Sequence, residues 1–123
     1  MILVDTSVWI DHLRQGDAGL VAALESGGVL VHPFVIDELA CGNLQHRAEV
    51  LGLLRGLPHA PVASAEEALG FIERQSLMGR GIGYVDVHLL ASVALIGTAR
   101  LWTRDIRLTA VASDLALAYL EQP

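Results

Sequence analysis

Short apolar runs alternate along the chain with longer stretches in which apolar and polar residues are mixed. The runs at residues 1–4, 29–31 and 101–103 are too short for helices and predict β-strands. Between them, apolar residues recur at intervals of three and four, which predicts helices with one buried face. The predicted helices cover residues 8–13, 17–27, 33–42, 45–54, 64–77, 84–96 and 106–113.

Local signals support these boundaries. Ser64 and Glu67 have the spacing of a capping box, and Pro33 suits the first turn of a helix. Three glycines predict a loop over residues 78–83, and residues 118–120 are a possible edge strand. Parallel strands need crossover connections, which helices supply. We therefore predict one α/β domain over residues 1–123, with a short-stranded parallel sheet flanked by helices on both faces.

Composition excludes several classes of protein. Hydrophobic residues make up 53% of the chain and charged residues 18%, a balance that excludes intrinsic disorder. The most apolar stretch, residues 85–99, contains Asp86 and His88 and does not predict a membrane span. The first residues include Asp5 and lack the basic segment of a secretory signal, so we expect a cytoplasmic protein. The chain has one cysteine, Cys41, so an internal disulfide is excluded. We expect its side chain to be buried as a small residue of the core.

The charge balance bears on nucleic-acid binding. A net charge of −6 argues against non-specific attraction to phosphate backbones. All eight basic residues are arginine, which suits bidentate contact with phosphate or carboxylate. Arg104 and Arg107 flank Asp105 and are candidate phosphate contacts. Arg80, in the glycine-rich loop, is a further candidate, although a solvated loop residue is the favoured interpretation there.

Four carboxylates stand out by their positions in the predicted elements. Asp5 ends the first strand and Asp105 follows the third, at the carboxyl ends where parallel α/β sheets bind ligands. Glu38 lies within an apolar helix, and Asp86 lies at the start of the most apolar helix, where we expect both charges to be costly to bury. The four are far apart in sequence, so only the fold can bring them together.

A cluster of four carboxylates would need cations to offset its mutual repulsion. Oxygen ligands alone favour Mg²⁺ or Mn²⁺ over zinc, and such ions activate water for phosphodiester hydrolysis. Hydroxyls at Thr6, Ser7 and Thr103 are placed to orient the acids. A structural alternative stays open for each acid. Asp5 and Asp105 could only cap helices, Asp86 could only stabilise the dipole of its helix, and Glu38 could be a solvated helix residue.

Four segments of the chain resemble, in order, the successive signatures of PIN-domain ribonucleases, specifically the VapC toxins of bacterial toxin–antitoxin pairs. The segments are ILVDTSVWIDHLR, VIDELACGNL, GIGYVDVHLLASVAL and LWTRDIRLTAVA, and together they span nearly the whole chain. The resemblance implies a PIN-like α/β/α fold. It also implies that the acidic quartet Asp5, Glu38, Asp86 and Asp105 forms the catalytic site.

The resemblance further implies a Mg²⁺- or Mn²⁺-dependent endoribonuclease that acts on tRNA or ribosomal RNA. Asp5, Asp86 and Asp105 are the implied metal ligands, and Thr6 and Thr103 match supporting hydroxyl positions. A homodimer and a cognate antitoxin are implied as assemblies, with operator DNA bound only through the antitoxin. Many relatives carry another acid two residues after the fourth, where this chain has Arg107.

Two other classes of function are compatible with parts of the pattern. In a non-catalytic PIN-like or receiver-like regulatory module, the same acids would serve structure or bind a metal without hydrolysis. A haloacid-dehalogenase phosphatase requires a second aspartate two residues after the strand-ending one, and Ser7 occupies that position. Among the aromatic side chains near the acids, Trp9 is expected in the core or a dimer contact and His88 in a packing role.

Overall fold

Three parallel strands alternate with seven helices in the computed structural model, which describes residues 1–121. The strand that comes first in the chain lies in the middle of the sheet, with its Leu3 beside Leu30 of the second strand on one side and beside Leu101 of the third strand on the other. The elements are β1 (Ile2–Val4), α1 (Thr6–Gln15), α2 (Ala18–Glu25), β2 (Val29–Leu30), α3 (Pro33–Ala40), α4 (Arg47–Arg55), α5 (Ala65–Gln75), α6 (Tyr84–Ile96), β3 (Arg100–Trp102) and α7 (Ile106–Asp114).

Both faces of this small sheet are covered. Consecutive strand residues point to opposite faces of the sheet, yet Leu3 and Val4 are both fully buried. The same holds for Leu101 and Trp102, which are at most 2% exposed. Helices therefore pack on each side, with α1 against α3, α3 against α4, and α5 against α6. This arrangement confirms the predicted α/β class with a parallel sheet between helical layers. No helix within residues 1–121 is long and apolar enough to cross a membrane.

The sheet ends slightly differently from the prediction. Thr103 was predicted to belong to the third strand, but that strand ends at Trp102 because β1 ends at Val4 and leaves no further partner. The predicted edge strand contributes a single parallel bridge between Leu101 and Ala118. A second bridge joins Val31 to His59, which the pattern did not predict.

Helix ends follow the local signals in the sequence. The predicted capping box at Ser64 and Glu67 is present in both directions. His32 caps α3 as well, since its Nδ1 accepts a hydrogen bond from the Phe34 amide. The prediction that Cys41 is buried in the core was wrong. Cys41 is exposed because it is the C-cap residue of α3, where the helix ends at the surface.

Helix α6 is the most buried helix, as its nearly continuous apolar sequence predicted. Every residue from Val87 to Val93 is buried, and only the two ends of the helix reach solvent. The polar side chain of Ser92 is accommodated because its hydroxyl donates to the carbonyl of Pro61 at 2.6 Å. Helix α6, which carries Asp86 in its first turn, packs against α5 and β3.

Candidate active site

Asp5 lies at the carboxyl edge of the central strand and is held there by two hydroxyl groups. Its backbone N–H donates to the carbonyl of Trp102, which extends the β1–β3 pairing by one bond. Its side chain is only 6% exposed. The Oδ2 atom accepts hydrogen bonds from Ser7 Oγ at 2.7 Å and from Thr103 Oγ1 at 2.8 Å. Charge-assisted bonds of this kind fix a buried carboxylate in one orientation.

The two hydroxyls are themselves fixed by the loop that follows β3. Ser7 Oγ accepts a hydrogen bond from the Arg104 amide at 3.0 Å, and Thr103 Oγ1 accepts one from the Asp105 amide at 3.1 Å. Each hydroxyl therefore accepts from a backbone amide and donates to Asp5. Thr103 was predicted as a supporting hydroxyl, and it makes such a contact.

Glu38 belongs to the same edge but is more open to solvent than its apolar helix suggested. Its side chain is exposed, so the expected burial of this charge was wrong. The reason is that the buried face of α3 consists of Val35, Ile36 and Leu39, which leaves residue 38 on the outer side. Thr6 Oγ1 donates to Glu38 Oε1 at 2.7 Å, so this supporting hydroxyl holds Glu38 rather than Asp5.

Three of the acids bond backbone amides at helix N-termini: Asp5 and Asp105 are the N-cap residues of α1 and α7, and Asp86 lies in the first turn of α6. Asp86 Oδ2 accepts from the amide of Gly83 at 3.0 Å, and Asp105 Oδ1 accepts from the amide of Leu108 at 2.9 Å. Asp105 is exposed and Asp86 is half-buried. Capping and a role in the site are compatible here, because a cap occupies only one oxygen of each carboxylate.

The electrostatics of Asp86 report that the four acids converge. Burial raises the pKa of Asp86 above its ordinary value, and the charges of Asp5, Asp105 and Glu38 raise it further, while the Gly83 amide opposes the rise. Among residues 1–121, no arginine or histidine forms a salt bridge with any member of the quartet. The fold thus gathers negative charge at one edge of the sheet without supplying a positive side chain to balance it.

The donor set suits a hard divalent cation. Each acid uses one oxygen for a hydrogen bond within the described chain and keeps the other without one, at Asp5 Oδ1, Glu38 Oε2, Asp86 Oδ1 and Asp105 Oδ2. Oxygen ligands of this type are those preferred by Mg²⁺ and Mn²⁺. As the side chains stand, however, no three acidic, histidine or cysteine groups of the described residues are close enough together to hold an ion. Binding a shared ion requires the free oxygens to turn inward.

Comparison with known proteins gives the family. Residues 2–114 match the PIN domain family. The chain is also 52% identical over 122 residues to ribonuclease VapC32 of Mycobacterium tuberculosis, in strains CDC 1551 / Oshkosh and ATCC 25618 / H37Rv, covering 99% of this chain and 98% of that protein. The chain belongs to the VapC-type branch of the PIN-domain family.

Solved structures agree on the fold of this PIN domain. The crystal structure of FitAcB from Neisseria gonorrhoeae matches with a TM-score of 0.63 and 24% sequence identity, covering 92% of this chain and 94% of that one. The structure of FitAB bound to an IR36 DNA fragment matches with a TM-score of 0.64 and 22% identity over 99% of both chains. At this level of identity the match concerns the fold.

The arginines of this PIN domain are engaged differently from the prediction. Both terminal nitrogens of Arg104 bond carboxylates of the same chain, which argues against its predicted contact with RNA. Arg80 pairs with Asp114 at 2.7 Å on the surface. Arg107 is exposed, forms no salt bridge within residues 1–121, and lies over Gly81, where a Cβ would be 2.8 Å from its Cδ. Arg107 is therefore the candidate phosphate contact with a free guanidinium.

His88 packs against neighbouring aromatic rings. His88 is 3% exposed, and its ring lies 4.5 Å from that of Tyr84 and 4.8 Å from that of Phe34, centroid to centroid. Burial lowers its pKa, and neither ring nitrogen has a hydrogen-bond partner in the described part of the chain. The packing role predicted for His88 fits this position. Trp9 is 4% exposed and belongs to the core.

Sequence reasoning placed Ser7 among the hydroxyls that orient the acids but missed the ion pairs of Arg104. Ser7 was considered only as one of several nearby hydroxyls, although it is the hydroxyl closest to Asp5. Its position two residues after a strand-ending acid, in the first turn of a helix, is the signal that was available. The ion pairs of Arg104 had no such signal, because its partners lie far away in sequence.

Proposed function

We propose that this VapC-type PIN domain is a Mg²⁺- or Mn²⁺-dependent endoribonuclease and the toxin of a toxin–antitoxin pair that acts in the cytoplasm. The observation that carries the proposal is the geometry at the carboxyl edge of the sheet: Ser7 and Thr103 hold Asp5, the Asp105 amide donates to the same Thr103 hydroxyl, and Thr6 holds Glu38. The pKa of Asp86, raised by burial and further by the charges of the other three acids, supports it. Such a cluster, with no balancing cation from the described chain, favours binding of a divalent metal. The extensive identity to proteins named as ribonucleases supports the same activity.

Asp5, Asp86 and Asp105 are the proposed metal ligands, each through the oxygen that makes no protein hydrogen bond. A divalent ion bound there would supply Lewis-acid activation of water and of the phosphodiester. Ser7 and Thr103 fix the orientation of the Asp5 carboxylate through its Oδ2 atom. Thr6 holds Glu38 through Oε1, which leaves Oε2 to accept a proton from the attacking water.

Arg107 is the proposed contact to the RNA backbone, with Arg80 as a weaker candidate because Asp114 already neutralises it. Its exposed guanidinium, two residues after Asp105, supports a contact to a phosphate of the RNA. A tRNA or ribosomal RNA is the proposed substrate class, on the basis of the family resemblance.

A protein antitoxin and a second copy of the chain are the proposed partners. A groove of about 570 Å³ opens beside Glu38 and is lined by apolar side chains that include Ile10, Leu13, Leu39 and Val50. Apolar patches next to a charged cleft are typical of protein-binding surfaces. We propose that an antitoxin segment occupies this groove and directs a basic side chain toward the carboxylates, and that the complex reaches operator DNA through the antitoxin.

The test is cleavage of labelled RNA by the purified protein in Mn²⁺, with Asp5→Asn as the decisive variant. This substitution removes a charge and almost no volume, so we expect a folded protein without metal-dependent cleavage. Asp37→Asn is the matched control, since Asp37 is an exposed acid next to Glu38 but outside the quartet. The proposal would be refuted if Asp5→Asn cleaved RNA as fast as wild type in Mn²⁺ and if a metal chelator left that cleavage unchanged.

The regulatory-module alternative predicts a different result from the same samples. A non-catalytic module would bind Mn²⁺, seen as metal-dependent thermal stabilisation, but would cleave no RNA and would not arrest growth when expressed without an antitoxin. A haloacid-dehalogenase mechanism is disfavoured because Ser7 donates to Asp5, whereas that mechanism needs an aspartate at this position.

A further inference from the structure

The side chain of Arg104 connects four separate parts of the chain. Its Nη1 bonds Asp11 of α1 at 2.8 Å, and its Nη2 bonds Asp17, the cap of α2, together with Glu121 near the C-terminus. Its guanidinium also lies 5.6 Å from the ring centroid of Trp102 in β3. A planar group with several fixed donors is suited to hold such a set of partners in one geometry.

One guanidinium faces three carboxylates in this cluster. The hydrogen bonds that Arg104 donates to Glu121 and then to Asp17 raise the pKa of Arg104, and its hydrogen bond to Asp17 is the main cause that lowers the pKa of Asp17. The side chains of Asp11 and Glu121 are 39% and 44% exposed, so their single pairs with Arg104 contribute little to stability. The cluster matters chiefly because it restricts where residue 104 can lie.

The backbone of Arg104 is part of the candidate active site. Its amide donates to Ser7 Oγ, and Ser7 Oγ donates to the buried oxygen of Asp5. The residue before it, Thr103, supplies the second hydroxyl on Asp5, and the residue after it is Asp105. Any movement of this loop therefore shifts two acids of the quartet at once.

We infer that Arg104 is a positioning residue: its carboxylate-bound guanidinium fixes the loop 103–105, so that Ser7 and Thr103 orient Asp5 for metal binding, and it does not contact RNA. The inference rests on the proposed nuclease function for its catalytic readout. It differs from an RNA-binding role in a measurable way, because an orienting residue affects kcat and metal affinity, whereas a phosphate contact affects KM and its salt dependence.

The experiment compares Arg104→Gln with the matched control Arg55→Gln, an exposed arginine in the last turn of α4. We expect Arg104→Gln to lower kcat and to raise the half-saturating Mn²⁺ concentration by about 10- to 100-fold, the usual cost of losing a group that orients metal ligands. We expect KM for RNA to change by less than about twofold, because ground-state binding of substrate is untouched. A raised KM with unchanged kcat, or kinetics equal to wild type, would overturn the inference.

Two partner variants keep the inference testable if Arg104→Gln does not fold. Asp11→Asn and Glu121→Gln each remove one partner of the guanidinium and leave residue 104 in place. In both, we expect faster hydrogen exchange at the Arg104 amide and a smaller Mn²⁺-induced rise in Tm than in wild type. Unchanged exchange and an unchanged Mn²⁺ response in both variants would refute the positioning role.

These two readouts separate the inference from the proposed function. If the wild-type protein binds Mn²⁺ but cleaves no RNA, the nuclease proposal fails, while amide exchange and the metal-induced Tm shift still decide whether Arg104 positions the loop. If wild type cleaves RNA and the partner variants behave like wild type in every assay, the inference fails and the nuclease proposal stands.

Discussion

Thr103→Val tests whether the orientation of Asp5 depends on the hydroxyl at the end of β3. Valine has nearly the same shape as threonine, so packing at this buried position is preserved and only the hydroxyl is lost. That hydroxyl donates to Asp5 Oδ2 at 2.8 Å and accepts from the Asp105 amide at 3.1 Å. The substitution therefore removes one bond to a buried charge and one from a backbone amide.

The expected loss of stability follows from these two bonds. A hydrogen bond to a charged group contributes about 1.5–3 kcal/mol. The Asp105 amide adds little, because Asp105 is exposed and water can replace the lost acceptor. Asp5 also keeps the Ser7 hydroxyl, so its charge is not left without a partner. We expect the free energy of unfolding to fall by about 2 kcal/mol, and metal-dependent cleavage to fall by about 10- to 100-fold.

Urea denaturation at pH 7 measures the first quantity, and RNA cleavage over a Mn²⁺ titration measures the second. Thr103→Ser is the matched control: it keeps the hydroxyl, loses a methyl group, and should retain the metal dependence of wild type. If Thr103→Val and Thr103→Ser lose activity to the same extent, packing rather than the hydroxyl controls the site, and the reasoning about Asp5 is wrong.

Three further predictions concern charge. Asp86→Asn should abolish cleavage and raise the free energy of unfolding of the metal-free protein at pH 7. Because the pKa of Asp86 is raised, the folded state disfavours the charged carboxylate. This penalty grows as the pH rises from the ordinary aspartate pKa to the raised one, is full above it, and is removed by asparagine. His32 has its pKa lowered to about 4 by burial, so its contribution to stability is full above pH 6.5 and is lost toward pH 4. By pH 5 this costs about 2 kcal/mol, and His32→Asn, which keeps an acceptor for the Phe34 amide, should unfold with less pH dependence in urea titrations. Arg107→Gln should raise KM for RNA and reduce the salt slope of RNA binding by about one, with kcat retained; an unchanged salt slope would exclude a phosphate contact.

The acids illustrate how far sequence reasoning reached. Asp5 and Asp105 follow strand ends, and Asp86 begins a helix, so their places are set by local patterns that the chain displays directly. The sequence also suggested capping as an alternative to a role in the site. In the structure Asp5 and Asp105, the two acids for which capping was suggested, each cap a helix through one oxygen and keep the other available, so the two interpretations are not exclusive.

Glu38 and Arg104 illustrate where that reasoning stopped. Whether Glu38 is buried depends on which side of α3 meets α1, and the apolar neighbours of Glu38 gave no direct answer. The three carboxylates that bind Arg104 come from α1, the N-cap of α2 and the C-terminal segment. No spacing in the sequence therefore predicts these ion pairs.

By itself, the sequence determined the order of strands and helices, the helix caps and the identity of the acidic residues, because these depend on side-chain period and on contacts within one turn. Tertiary structure alone decided which hydroxyl holds which acid and which of the predicted RNA-contacting arginines form ion pairs. Thr103 reaches Asp5 across 98 positions of sequence only because β3 pairs with β1, and Thr6 reaches Glu38 only because α1 packs on α3. Hydrogen bonds and ion pairs act over a few ångströms, so their partners are chosen by the topology of the sheet and the packing of its helices.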